Sequence, residues 1–236
     1  MSLAENLSSV RARIDAACAA AHRPRGSVQL LAVSKKVVAD RLAEAADHGQ
    51  QAFGESYVQE ALPKLDALAP RALHWHFIGP VQSNKTADIA ARFDWVHGVD
   101  RLKIAERLSA QRPITLPPLN ICIQVNVSGE TSKSGCTPEA LPALAAAIVN
   151  LPRLRLRGLM CLPAPSAQLE DPRAPFRQLR LLQEALRTQG LALDTLSMGM
   201  SDDLEHAIAE GSTLVRIGSA IFGARLAGQS PPDTAS

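Results

Sequence analysis

From residue 28 to residue 217 the chain repeats one unit: a short apolar run, then a stretch whose apolar residues return at helical spacing. The runs are 28–34 "VQLLAVS", 51–53 "QAF", 73–78 "LHWHFI", 95–99 "WVHGV", 120–127 "NICIQVNV", 155–161 "RLRGLMC", 194–198 "DTLSM" and 213–217 "TLVRI". Amphipathic stretches follow at 38–48, 57–68, 83–92, 101–111, 138–150, 173–189 and 202–210. Strands alternating with helices predict a parallel sheet. Eight of them in a chain of 236 residues predict closure into a single (β/α)8 TIM barrel. An open doubly wound sheet is the alternative, but no G-x-G-x-x-G follows the first strand. Ahead of the repeat, Leu3, Leu7, Val10, Ile14 and Cys18 form one stripe of an extra N-terminal helix. Residues 1–227 then make one barrel domain, and 228–236, "GQSPPDTAS", read as a disordered tail.

Composition narrows the class. The formal charge of +2, the absence of a Lys/Arg run and a single tyrosine, Tyr57, argue against a nucleic-acid surface. No apolar run is long enough to span a membrane, and the N-terminus carries Glu5 and Asp15 where a signal peptide would be apolar. Cys18, Cys122, Cys136 and Cys161 are scattered and form no C-x-x-C pair, which reads as reduced thiols in a cytoplasmic protein. The proline-rich 112–119 joins a helix to a strand and belongs at the stability end of a barrel. The stretch 163–175 follows a strand and belongs at the active end, as a rim loop or a disordered one.

Candidate chemistry sits where strands end. "LLAVSKK" closes the first strand with two lysines; parity puts Leu31, Val33 and Lys35 on one face and Ser34 and Lys36 on the other. A lysine in a dry barrel mouth is a good amine nucleophile; one that snorkels to solvent is inert. After strands seven and eight, "SMGMSDD" and "RIGSAIFG" place Gly199 and Ser201, then Gly218 and Ser219, where main-chain N–H groups and hydroxyls can converge on a phosphate. Turn and cap duty is the plainer reading of the same residues. Asp202 and Asp203 would repel a phosphate unless they face away in the first helical turn. Arg216 shares a face with Gly218 and brings a permanent cation to the mouth. An amine, a phosphate cradle and an arginine together suit pyridoxal 5′-phosphate. Its pyridine nitrogen would stay unprotonated against a group that can only donate, leaving a weak electron sink.

Other groups carry less. His74 and His76 share a strand face, but no further ligand stands at a metal-binding spacing, so a hydrogen-bonded rim histidine is expected and no metal site. The polar loop 128–136, with Lys133, and Asn84 as a helix cap are minor candidates.

The segments "LLAVSKK", "FGESYVQE", "WHFIGPVQSNK", "SKSG", "RLRGLM", "LSMGMSDDLEHAIAEGST" and "VRIGSAIFGAR" closely resemble the pyridoxal phosphate homeostasis protein family. The resemblance runs from about residue 5 to about residue 225. It implies an alanine-racemase-type barrel of pyridoxal-phosphate fold type III, without that fold's second, mostly β domain. It implies Lys35 as the Schiff-base lysine and Lys36 as a bystander. Ser201, Gly218 and Ser219 match phosphate-binding positions and Arg216 the arginine facing the pyridine nitrogen; Ser56 and Met198 complete the candidate cofactor contacts. One departure stands out: "FGESY" replaces the family's usual "FGENY", so Ser56 presents a shorter hydroxyl where an asparagine is the rule.

Without a second domain no tyrosine base closes the pocket, and Tyr57 lies early in the barrel. A carbanion on an open cofactor would be reprotonated without control. The expected function is therefore a non-catalytic, monomeric protein that buffers pyridoxal 5′-phosphate and delivers it to apo-enzymes in vitamin B6 and amino-acid homeostasis. The alternatives are a weakly active racemase-like enzyme and a barrel aldolase whose lysine takes a sugar phosphate.

Overall fold

The computed structural model describes residues 2–129, 134–164 and 170–223. The tail 228–236, the domain boundary expected at 227, Lys133 and the middle of the 163–175 loop lie outside the described residues. Eight strands form a closed barrel in sequence order: β1 Gln29–Val33, β2 Ala52–Glu55, β3 His74–Phe77, β4 Trp95–Val99, β5 Leu119–Gln124, β6 Leu154–Met160, β7 Thr195–Ser197 and β8 Leu214–Ile217. Every neighbouring pair is parallel, including β1 with β8, where Leu31 pairs with Arg216. The helices are α1 Leu3–Ala20, α2 Ala39–Asp47, α3 Val58–Ala67, α4 Thr86–Arg92, α5 Leu102–Gln111, α6 Leu141–Ile148, α7 Ala174–Thr188, α8 Leu204–Ala209 and α9 Ser219–Phe222.

Strand alternation builds two compartments. Leu31, Ala52 and Leu214 meet inside the barrel, with Ile78 against them. Their neighbours Ala32, Phe53 and Val215 turn outward into the larger core under the helices. Glycine tightens the wall where strands crowd: a Cβ on Gly158 of β6 would lie 1.7 Å from the Thr195 carbonyl oxygen.

The helix after β8 is one turn long, too short to cover its sector. The N-terminal α1 fills that place. A capping box between Ser2 and Glu5 starts it, and Leu3, Leu7, Val10, Ile14, Ala17 and Cys18 are its buried face. Each large apolar side chain so buried contributes about 1.5–3 kcal/mol. Asn6 Nδ2 donates to the Ile221 carbonyl at 2.9 Å, and Arg23 Nη1 to the carbonyls of Ile208 and Ser212 at 3.0 and 2.7 Å.

All eight expected strands are present, with ends that coincide or differ by at most three residues. Helix starts differ for local reasons. The 138–150 stretch begins its helix only at Leu141, with Pro142 in the first turn, where its missing N–H costs nothing. Asn84 sits in a 3-10 turn, Ser83–Lys85, and is not a helix cap. The 112–119 loop lies where expected, between α5 and β5. Arg112 pins it, donating to Pro117, Ala90 and Phe93 carbonyls at 2.9, 2.7 and 2.8 Å.

Candidate functional site at the barrel mouth

The β1–β8 pairing sets the site. It places the end of β1, with Lys35 two residues beyond, beside Gly218 and Ser219, which follow β8. On its other flank β1 pairs with β2, which leads into Ser56. A Cβ on Gly218 would lie 3.2 Å from the Val33 carbonyl, so the two strand ends touch through main chain. Lys35 is half-buried and Lys36 exposed, with Lys36 in the left-handed region at φ 63°.

Next around the barrel, from β2 to β4, strands crowd through main chain. A Cβ on Gly79 would lie 2.3 Å from the Ser56 oxygen, and one on Gly98 would lie 2.4 Å from the Gly79 oxygen. The half-buried Ser56 therefore sits in a cradle that side chains would fill. On the last two loops, Gly199 takes φ +96° and has no room for a Cβ, which would lie 2.7 Å from Ala207 Cβ. The Arg216 amide donates to the Gly199 carbonyl at 2.9 Å and ties the β7 loop to β8. Ser201 is half-buried and Ser219 exposed. Asp202 is exposed and Asp203 buried, its carboxylate turned back to accept the Met200 amide at 2.6 Å. One acid thus faces solvent and the other is spent on its own loop.

Arg216 is 4 % exposed. Its Nη1 donates to the Ser197 carbonyl at 2.6 Å and to Ser197 Oγ at 2.7 Å, and its Nη2 to the Cys161 carbonyl at 2.8 Å. Of five N–H donors, these use three and leave the Nε–H and one Nη2–H for a ligand. Burial lowers its pKa, yet a guanidinium remains a cation. Burial also pushes the neighbouring thiols of Cys122 and Cys161 up to about 12, so both stay protonated.

Behind Arg216 runs a chain the sequence does not announce. Ser197 Oγ lies 2.8 Å from His97 Nδ1, and His97 Nε2 lies 2.9 Å from His76 Nδ1. Because arginine only donates, the arrangement with fewest orphans passes the Ser197 hydrogen to His97 and the His97 Nε2 hydrogen to His76. Only His76 Nε2 is then left without a partner. Both rings are neutral: burial takes His76 down to about 3 and His97 well below its usual value. His76 is stacked on Trp95 inside the barrel, not hydrogen-bonded at the rim, while His74 is exposed. No group of three metal-binding side chains occurs among the described residues.

Met198 differs from its expected role. Parity turns Ser197 inward and Met198 outward, fully buried in the core under the helices. Its N–H donates to Leu214 at 3.1 Å and its carbonyl accepts from Ser212 Oγ at 2.7 Å. The structure brings Lys35, Ser56, Ser201, Arg216, Gly218 and Ser219 to one end of the barrel, and leaves Met198 as a wall behind them.

These features fit pyridoxal 5′-phosphate: an amine at the end of β1, glycines and serines on the last two loops at the same end of the barrel, and a buried guanidinium with two donors in reserve. Comparisons with known proteins agree. The alanine racemase N-terminal domain profile matches residues 6–226. The pyridoxal phosphate homeostasis protein of Pseudomonas aeruginosa is 61 % identical over 223 residues, covering 94 % of this chain and 96 % of that one. The protein of that name from Escherichia coli is 53 % identical over 226 residues, covering 94 % and 97 %. PipY of Synechococcus elongatus, solved with PLP bound, is 37 % identical with a TM-score of 0.81, covering 94 % of this chain and 100 % of that one. An alanine racemase of Clostridium difficile shares the fold alone, at 13 % identity and a TM-score of 0.71, covering 98 % of this chain and 57 % of that one. From its first strand to its last loop, then, the chain belongs to the pyridoxal phosphate homeostasis protein family, on an alanine racemase N-terminal domain.

Proposed function

We propose that this protein binds pyridoxal 5′-phosphate through Lys35 and serves as a non-catalytic buffer that releases the cofactor to apo-enzymes. The observation that carries the reading is Arg216, held from behind by Ser197 and Cys161 with two donors to spare. When bound, the cofactor supplies an aldehyde that condenses reversibly with an amine. Lys35 supplies that amine. Ser201, Gly218 and Ser219 hold the phosphate, and Ser56 stands on the other side of Lys35, at the end of β2. Arg216 offers N–H groups to the ring nitrogen and no carboxylate does, so the ring is kept a poor electron sink. Tyr57 is 57 % exposed and stands at the start of α3, so it does not form part of a closed pocket wall. The names of the relatives and the PLP-bound PipY structure support the same cofactor here.

The four cysteines are free and buried, which suits a reducing, cytoplasmic setting. No helix among the described residues is long and apolar enough to cross a membrane.

Borohydride reduction of the cofactor-loaded protein followed by peptide mapping tests the assignment. The label is expected on Lys35. Label on Lys36, or none, overturns the reading. Lys35→Ala should fold with stability within about 1 kcal/mol of wild type, since a half-exposed lysine contributes little packing. Steady turnover of an amino acid by the purified protein would favour the racemase-like alternative.

A further inference from the structure

Lys64 on α3 is 7 % exposed and carries the ammonium most deeply buried beside the mouth. Burying such a charge costs several kcal/mol unless it is well paired. Its Nζ donates to three acceptors: the Ser34 carbonyl at 2.9 Å, Glu55 Oε1 at 2.9 Å and Glu60 Oε1 at 2.7 Å. Both carboxylates also reach the same turn, Glu55 through a side chain and Glu60 through main chain. Glu55 Oε1 accepts from Ser34 Oγ at 2.6 Å, and Glu60 Oε1 accepts the Lys36 amide. Residue 34 is thus gripped by its carbonyl and hydroxyl, residue 36 by its N–H, and Lys35 lies between them.

We propose that Lys64 is a positioning residue for Lys35, acting with Glu55 and Glu60 as a clamp on the main chain at either side. The proposal rests on the reading of Lys35 as the cofactor-binding amine. Two further observations favour it over a purely structural ion cluster. Lys36 is held at φ 63°, a left-handed conformation that costs a non-glycine residue about 1 kcal/mol or more. Glu55 is fully buried with Oε2 unpartnered. Apolar packing would fill that space without either cost. A fixed turn is what these costs maintain: with the main chain locked, the Lys35 amine has its own side-chain torsions to search and no others. Formation of the C=N bond at Lys35 releases one water, and hydrolysis is its reverse. The clamp shifts that equilibrium by holding the amine in reach.

The test uses Glu60→Ala, Lys64→Met and Lys64→Arg in the full chain, with two probes. Pyridoxal 5′-phosphate reads covalent binding through its visible spectrum. Pyridoxine 5′-phosphate, with an alcohol in place of the aldehyde, reads the non-covalent part alone. Glu60→Ala should keep the wild-type far-UV circular dichroism and bind pyridoxine 5′-phosphate within about twofold. Its covalent binding constant should fall at least about tenfold. Lys64→Met should fall further, with Lys64→Arg recovering part of the loss. If Lys64→Met does not fold, Glu60→Ala decides alone. Equal losses for both probes, or no loss for either, overturn the clamp. Wild type labelled at Lys35 with indifferent variants sinks this proposal only; wild type labelled elsewhere sinks the functional reading as well.

Discussion

A buried arginine is expensive to desolvate, so what it touches says why it is there. Arg216 has main-chain carbonyls and a hydroxyl around it, with no carboxylate among its hydrogen-bond partners in the described residues. A structural salt bridge would have chosen a carboxylate. Partners that accept without neutralising leave the cation free to orient a ligand. Removing it strands the Cys161 carbonyl and leaves the Ser197 carbonyl with only the longer bond from the Cys161 amide at 3.4 Å, at about 1–3 kcal/mol for a buried group left unpaired. Arg216→Ala should therefore lose roughly 3 kcal/mol of stability, together with most of its affinity for pyridoxal 5′-phosphate. Arg216→Lys should recover stability more than affinity, because an ammonium cannot hold Ser197 and a ring nitrogen at once. Melting curves and titrations of both variants check this. An alanine variant that melts and binds as wild type does would show that the guanidinium has no such role.

At the level of elements, the inward edges of β3, β4, β7 and β8 form one polar seam through the barrel: His76, His97, Ser197 and Arg216. The two histidines are neutral in the folded state and titrate near pH 6.5 when unfolded. The unfolded chain therefore binds more protons than the folded one between pH 6.5 and about 3 at His76, and below pH 6.5 at His97 as well. Stability on this account is complete above pH 6.5 and declines as pH falls through that window, by up to about 1.4 kcal/mol per pH unit for each histidine. Glu55 works the other way. Burial raises its pKa, so it adds stability on mild acidification, in a window just above its unfolded value. Urea unfolding at pH 7.5 and 5.5 should show the net loss, and His76→Phe should shrink it; equal midpoints at the two pH values would refute the account. The same seam marks the limit of reading from sequence. Strand periodicity, inside-outside parity and the loops after β7 and β8 are local patterns, so the barrel and the places of Lys35 and Arg216 were legible. The partnership of His76 with His97 joins positions 21 residues apart, and that of His97 with Ser197 positions 100 apart. Barrel closure alone brings them together. Inward parity in "WVHGV" was the one available hint for His97, and the same rule, applied to "LSM", would have turned Met198 away from the cofactor. Lys64 and Glu60 read as ordinary exposed residues of an amphipathic helix.

For the molecule as a whole, α1 is the element that makes the mouth and the wall one object. It covers the sector left open by the short α8 and α9, and its polar side chains reach the functional loops. Arg13 Nη1 donates to the Ser201 carbonyl at 2.7 Å while its guanidinium pairs with Glu205, and Asn6 holds the Ile221 carbonyl. Removing residues 1–20 would delete six buried side chains and uncover the core beneath them; the four large ones, Leu3, Leu7, Val10 and Ile14, are worth about 1.5–3 kcal/mol each. That sum reaches the whole stability of a typical domain, about 5–15 kcal/mol, so the truncated chain should not fold. A finer change separates the two duties of the helix. Arg13 and Glu205 are a part-exposed pair, and such pairs are worth about 0–1 kcal/mol. Arg13→Ala should therefore melt within a few degrees of wild type. The Ser201 loop, however, loses a donor to its main chain at the end proposed to hold the phosphate. Binding of pyridoxal 5′-phosphate should weaken several-fold through a faster off-rate, with the Lys35 label after borohydride unchanged in position. Inorganic phosphate as competitor separates the terms: it should become less effective in Arg13→Ala by the same factor, because only the phosphate grip has loosened. If phosphate competes as well as before, Arg13 supports the wall and not the mouth.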